Sequence, residues 1–594
     1  MKDAKLRTWP GIVAGALIVI GLVVGLLFSI TMPDVALAGI VGAMVGTLAV
    51  LIWWLFFSRA RWPERVGALA VLIAAWFAMR PLLDQSITGG AMGFLPVFAF
   101  PVLAVALVVW ASVTRGLSDG IRRVSMVVAM LIACGLCTLV KTAGVRGGFF
   151  EFHWRWTPTP EERLLAQGTD DPAPIPLLPA PDIPTEPPAA EANTEPVTIP
   201  PRPPAPRKPA DWPGFRGPHR DGIVHNVRIE ADWSKFPPVE LWRRPIGPGW
   251  SSFAVDGDVF YTQEQRGDDE IVASYRLSTG KPVWRHRDAV RFYESNGGAG
   301  PRGTPTLSDG RVYAFGATGV LNALDAGTGA VIWSRNVSAD GDVQVPMWGF
   351  SSSPLVVDDV VVVAAEGKLA AYDVATGRPR WFGPAEGVSY SSPHLMAFDG
   401  VPQIVQLRGN GATSFAPADG AVLWRHESEG GAIVQPAVTA DGNILINSIG
   451  GTGGQGIRRL AIAHNSGGWT VDERWRSTGL KPYFNDFVVH NGHAFGFDGS
   501  ILSCIDLADG GRKWKGGRYG GGQLVLLADQ DLLLVLSDEG ELALVSATPD
   551  AFTELARFKA IEGKTWNHPV LVGDILLVRN GEEMAAFRLT TAER

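Results

Sequence analysis

The stretch LNALDAGTGAVIW (321–333) sets an Asp, a Thr-Gly pair and a Trp at fixed offsets, and the arrangement recurs. Relatives are SYRLSTGKPVW (274–284), AAYDVATGRPRW (370–381), SFAPADGAVLW (414–424) and SCIDLADGGRKW (503–514). A short repeated unit cannot bury its apolar face alone; stacked copies can. From residue 240 onward, short runs alternate apolar and polar residues between Gly, Asp and Asn, the pattern of half-buried strands. GRVYAFGATGVLNALDAGTGAVIW (310–333) predicts three of them: VYAFG, VLNALD and AVIW. The Thr-Gly pair supplies a tight turn with a positive φ at glycine. The Asp before it bonds the turn's own amides. The Trp then packs its large face between neighbouring units.

A second element leads each unit. WSSFAV (250–255), RGTPTL (302–307), SSSPLV (351–356), YSSPHL (390–395), VQPAV (434–438), FNDFVV (484–489), GGQLVL (521–526) and WNHPVL (566–571) each read as a polar turn running into an apolar strand. These eight segments, about 37–52 residues apart, predict eight four-stranded blades of an all-β propeller. The last unit ends after MAAFRL without a closing Trp strand, and VELWRRPI (239–246) can supply it. The ring would then close on itself and leave no open edge.

The Asp–Thr-Gly–Trp unit resembles the tryptophan-docking motif of the pyrroloquinoline quinone (PQQ)-binding-like β-propeller repeat family. That family includes quinoprotein dehydrogenases and the outer-membrane assembly factor BamB. The resemblance covers about 211–590 and is repetitive. DWPGFRGPHRDGIV (211–224), GPRGTPTL (300–307), RYGGGQLVLL (518–527) and GKTWNHPVL (563–571) look like a bacterial subgroup of these propellers.

The first quarter of the chain has a different composition. Residues 11–30, 35–57, 66–83, 94–113 and 124–144 are apolar runs, each about the length that crosses a hydrocarbon core as a helix. They predict a transmembrane domain of five helices over 1–148. More runs follow the first, so it reads as an anchor rather than a removed signal peptide. Lys2, Lys5 and Arg7 precede the first run; Arg59, Arg61 and Arg65 follow the second; Arg115, Arg122 and Arg123 follow the fourth. Basic loops stay in the cytoplasm, so everything after about residue 145 is expected outside it, in a bacterial periplasm. Trp53, Trp54, Trp62 and Trp110 sit near run ends, where interfacial anchors belong. Five spans before a periplasmic propeller resemble the layout of membrane-bound quinoprotein glucose dehydrogenase. Arg80 and Asp84 share a helix face, as an interfacial ion pair or as a polar site within the membrane. Cys134 and Cys137 lie in an apolar run and read as core.

Residues 149–210 are expected to join the two parts. FHWRWTPTPEERLLAQ (152–167) reads as an interfacial aromatic segment and a short helix, capped by Thr159 with Glu161 and Glu162 in its first turn. From 169 to 210 the chain is dense in proline, a tether of up to about 130 Å at ~3.1 Å per residue. GGTGGQG (450–456) reads as a flexible loop, because no helix follows it to receive a phosphate.

The polar residues of the leading segments should ring one mouth of the axial channel. As cofactor-binding candidates they give Arg302, Trp348, Tyr390, Gln435, Asn485, Gln523, Trp566 and Asn567. Arg302 offers a bidentate fork to a carboxylate, and the tryptophans offer stacking faces. A quinoprotein dehydrogenase also needs calcium on the quinone oxygens and a carboxylate base. Asn485 and Asp486 are the candidates for metal, and Asp486 and Glu294 for catalysis. The resemblance implies PQQ and Ca²⁺ as cofactors. The vicinal Cys-Cys pair on which catalytic members of the family often stack PQQ is missing, as is a CxxCH haem motif. The other reading of these polar residues is that they satisfy loop amides. A net charge of −7 and no basic face argue against nucleic acid. The sequence therefore favours an inner-membrane-anchored binding or scaffolding module that partners other envelope proteins. The competing class is a PQQ- and calcium-dependent alcohol or sugar dehydrogenase passing electrons to membrane quinone.

Overall fold

The computed structural model describes residues 6–28, 33–88, 94–146, 149–168, 172, 209–429, 433–450 and 453–592. The chain divides into two compact units, 1–163 with 292–299, and 164–291 with 300–594.

The first unit is helical. Its main helices are α1 (Trp9–Phe28), α2 (Pro33–Ile52), α3 (Trp62–Met79), α4 (Phe94–Val113) and α5 (Asp119–Thr138). Among the described residues, four stretches are long and apolar enough to cross a membrane: Trp9–Phe28, Leu37–Phe57, Trp62–Leu82 and Asp119–Thr138; Ala99–Val113 is a shorter apolar helix. The last apolar run was expected over 124–144. The helix instead occupies 119–138, and Val140–Arg146 pairs antiparallel with Phe149–Trp154 as a hairpin. The aromatic segment at 149–154 is therefore a strand.

The three basic segments meet at one end of the bundle. Arg7 N donates to Ser58 O (3.0 Å), Arg61 pairs with Asp119 (2.8 Å), and Arg122 with Glu64 (2.6 Å). Trp53, Trp54 and Trp110 are buried within the bundle at this end, and their indoles donate to the carbonyls of Arg7, Arg65 and Arg122. Asp84 accepts from Ser86 N (3.0 Å), capping a short helical turn. Thr159 and Glu162 form a reciprocal cap on the helix Pro160–Ala166, with Thr159 N to Glu162 Oε2 at 2.6 Å and Glu162 N to Thr159 Oγ1 at 3.1 Å. Of the proline-rich stretch, all but residues 172, 209 and 210 lies outside the described residues.

The second unit is an eight-bladed β-propeller. Blades 1 to 7 occupy 254–288, 306–336, 355–382, 394–427, 437–477, 488–518 and 523–559; blade 8 is 570–588 completed by Val239–Pro245. Glu583–Arg588 pairs antiparallel with Val239–Pro245, so the ring closes through the strand the sequence pointed to. A buried charge network reinforces this seam. Arg579, fully buried, donates to Thr262 Oγ1 (2.6 Å), Gln263 O (2.8 Å) and Gly247 O (3.2 Å). Glu264 accepts from Gly247 N, and Tyr275 OH donates to it at 2.8 Å.

The repeated unit has a geometric explanation. Asp325 Oδ1 accepts from the amides of Gly327 and Thr328 and from the Thr328 hydroxyl, fixing the turn. In five of the seven motif Trp positions the ring lies on the turn glycine of the next blade; Trp514 instead donates to Thr548 O of blade 7 (2.7 Å), where the turn carries no glycine. A Cβ on Gly377 (φ 67°) would sit 2.6 Å from the Trp333 ring, while Trp333 Nε1 donates to Val374 O (3.0 Å). Trp242, Trp284, Trp381 and Trp475 repeat the contact on Gly280, Gly329, Gly420 and Gly510. Trp424 departs from the pattern and bonds Gln403 of its own blade (2.7 Å). GGTGGQG is not simply a loop: Gly453–Asn465 is a strand paired with Ile444–Gly450, and residues 451 and 452 lie outside the described set.

Candidate functional site

All eight innermost strands begin at one face, here called upper, where the leading segments converge. Their polar residues form a hydrogen-bonded girdle around the axis. Ser252 N donates to Thr304 Oγ1 (2.9 Å), Thr304 N to Ser353 Oγ (3.0 Å), and Ser353 N to Ser392 Oγ (2.8 Å). With the Gln435 amide turned to satisfy both its groups, Ser392 N donates to its oxygen (3.1 Å). Gln435 N then donates to Asp486 Oδ1 (2.7 Å), and Asp486 N to Gln523 Oε1 (3.4 Å). At the seam the pattern changes. Gln523 Nε2 donates to Trp566 O (3.1 Å), and Asn567 Nδ2 to Ser251 O (2.7 Å). Small polar side chains recur here because each must reach a backbone amide of the preceding blade.

The lower mouth is crossed by the segment 211–224. Trp212 exchanges both backbone bonds with Val255 of blade 1, and Leu307 N of blade 2 donates to Pro213 O. Arg220 reaches blade 3, donating to Pro354 O (2.8 Å) and Ser353 O (2.9 Å). Arg216 donates to Phe487 O of blade 6 (2.7 Å), and its Nη1 lies 3.4 Å from Asp486 Oδ1. Ile223–Val224 adds a parallel strand to blade 7, and Phe215 meets the His568 ring of blade 8 edge-on at 5.0 Å. Sequence reading singled out the segment only for its resemblance and gave Arg216 and Arg220 no role. The available signal was two arginines set between glycines in a stretch with no strand pattern.

This plug sets the electrostatics of the axis. Burial alone would raise Asp486, but Arg216, His568 at 3.2 Å and the Gln435 amide outweigh it and hold the carboxyl below the usual range. Burial keeps His568 low despite that carboxylate. Burial, with Arg220 and Arg216 nearby, pushes His394 down to about 3. Asp486 is thus the plug's counter-ion. Both its oxygens are engaged, and Asn485 Oδ1 accepts from Tyr483 N (3.1 Å). A guanidinium beside the carboxylate and a donor on each acceptor do not fit a calcium centre or a general base.

The remaining candidates separate into groups. Arg302 donates to Trp348 O (3.3 Å) and Gly300 O (2.9 Å), and Trp348 packs against Tyr390 with centroids 4.9 Å apart. Trp566 lies between Trp250 and Phe484, each at 4.9 Å, with Lys564 Nζ 3.7 Å from its ring centre. Trp250 N donates to Pro301 O (2.9 Å), which links the two groups along the upper rim. Met347, Val345 and Val388 are exposed in the upper loops. Glu294 sits in the hairpin Tyr293–Ala299, where its oxygens accept from the amides of Asn296 (2.7 Å) and Gly297 (2.5 Å). Among the described residues, no three His, Cys, Asp or Glu side chains cluster as a metal set.

Residues 239–386 match a family described as outer membrane protein assembly factor BamB. The chain is 24% identical over 331 residues to the assembly factor BamB of Yersinia pestis, covering 53% of this chain and 71% of that protein. Among solved structures, BamB from Moraxella catarrhalis is similar with a TM-score of 0.45 and 15% identity, over 59% of this chain and 100% of that one. A europium-containing methanol dehydrogenase is similar with a TM-score of 0.40 and 12% identity, over 64% and 98%. The second unit is therefore a PQQ-like, BamB-like repeat propeller, preceded in the chain by apolar helices.

Proposed function

We propose that this chain is a membrane-anchored binding or scaffolding module whose propeller engages another envelope protein through its upper mouth. Five spans hold it in a bacterial inner membrane with the N-terminus in the cytoplasm, and the proline-rich stretch tethers the propeller in the periplasm. The gathering of Arg7, Arg61 and Arg122 at one end of the bundle supports that orientation. The name carried by the Yersinia pestis relative, an outer membrane assembly factor, supports an envelope partner.

The observation that carries the reading is the division of the axis. The lower mouth is filled by 211–224, and Asp486 is neutralised by Arg216. The upper rim keeps half-buried aromatic faces at Trp250, Trp348, Tyr390 and Trp566, with Arg302 and Lys564 beside them. Aromatic and arginine side chains of this kind are common anchors of protein interfaces. The dehydrogenase reading draws no support from Asp486 and Asn485, whose acceptors are occupied. The test is photo-crosslinking in cells, with the reactive residue at Met347 on the upper face or Val401 on a lower hairpin. Partner adducts from 347 and none from 401 support the reading, and the reverse pattern rejects it.

A further inference from the structure

A cavity of about 240 Å³ lies between α3 and α5, at the end of the bundle where the basic segments meet, with Trp110 of α4 in its lining. It contains a buried ion pair, Arg122 Nη2 to Glu64 Oε2 at 2.6 Å. The Arg122 Nε, also buried, has no hydrogen-bond partner among the described residues. Arg123 is exposed on the same lining, so Arg122, Arg123 and Glu64 sum to one net positive charge. The rest of the lining is apolar. Gly67 is its thinnest point: a Cβ there would meet no atom within 4 Å. Val66, Val124 and Val127, beside the cavity on the same helices, are exposed apolar side chains.

We infer that this cavity binds an anionic phospholipid, its phosphodiester on Arg122 Nε and Arg123 and an acyl chain over Gly67 and Val71. The inference rests on the membrane-spanning reading of these helices. Three features select the ligand. A buried arginine with an unmet donor calls for an acceptor oxygen, since such a donor is costly to leave unsatisfied. One net positive charge matches one phosphodiester. An apolar groove continuous with exposed valines suits a hydrocarbon chain, and basic pockets between helices at the cytoplasmic side are where anionic headgroups bind.

The test uses the full chain purified in detergent and native mass spectrometry. The probes are phosphatidylglycerol, phosphatidylcholine with the same acyl chains, and inorganic phosphate. The expected result is at least about tenfold tighter retention of phosphatidylglycerol than of phosphatidylcholine, with no displacement by millimolar phosphate. Gly67→Leu fills the groove and should abolish the preference. Gly135→Leu, at an exposed position of α5 with equal open space, should keep it. Equal retention of the two lipids, a preference that survives Gly67→Leu, or full displacement by phosphate overturns the lipid site. Carbonate washing of membranes separates the two failures. A chain that stays in the washed membrane yet shows no lipid preference loses only this inference. A chain released by carbonate loses the spanning reading, and this site with it.

Discussion

Arg216 Nη1 lies 3.4 Å from Asp486 Oδ1, joining the segment that crosses the lower mouth to the girdle that encircles the axis. Both side chains are almost fully buried, so removing one partner strands the other charge. Arg216→Ala should lower stability by about 3–5 kcal/mol in chemical denaturation. Replacing Asp486 by Asn should also destabilise, because Arg216 then lacks its counter-ion. A variant of either kind with an unchanged midpoint would remove the plug from the account.

The buried histidines give the propeller an acid limit. His394 sits at about 3 in the fold, below the ordinary unfolded value of about 6.5. The unfolded chain therefore takes up a proton that the native state refuses, and stability falls as pH drops below about 6.5. The loss approaches 1.4 kcal/mol per pH unit, about the value of one pKa unit. Asp486, held low in the fold, adds a loss at still lower pH as it protonates. Glu270, raised by burial to about 7, works in the opposite sense between about 4.3 and 7. The comparison is therefore made between parent and His394→Asn. The melting temperature of the variant should fall less steeply from pH 7 to 5; parallel curves would contradict the assignment.

The Trp-on-glycine contact between blades can be tested against a matched control. Gly377→Ala places a methyl 2.6 Å from the Trp333 ring at φ 67°, whereas Gly442→Ala has φ 77° and open space. The backbone term, about 1 kcal/mol, is common to both. Gly377→Ala should exceed the control by about 1–3 kcal/mol, the range for overpacking. Equal effects would mean that the contact does not constrain the blades.

At the ring seam, Arg579 bonds the carbonyls of Gly247 and Gln263 across the junction of blades 8 and 1. Arg579→Met keeps much of the volume but leaves Glu264 with less compensating charge. It should lower the melting temperature and speed amide exchange in Val239–Pro245 before the rest of the ring. Uniform exchange across all blades would show that the seam is not the weakest edge.

The blade count and the closing strand were legible because each is written in local chemistry. An Asp that caps a turn, a glycine at positive φ and a Trp at a fixed offset recur whatever surrounds them. The upper mouth was legible in the same way, from polar residues at each strand start. What those residues do was not. Gln435, Asp486 and Gln523 look like ligand-binding side chains in sequence, and in the fold their partners are the amides and carbonyls of neighbouring blades. Arg216 meets Asp486 across 270 residues of chain, a contact no local pattern encodes. The last apolar run was set too far along the chain because no proline or glycine marks the helix end at Thr138, yet Val140–Arg146 turns away and pairs with Phe149–Trp154.

The most direct test of a binding rather than a redox role is to add PQQ and Ca²⁺ to the full chain in detergent, remove the excess, and measure retained quinone and dye reduction with alcohols and sugars. The account predicts no stoichiometric retention and no substrate-dependent reduction. Retention of one quinone per chain, with reduction abolished by Asp486→Asn in a protein that remains folded, would contradict it.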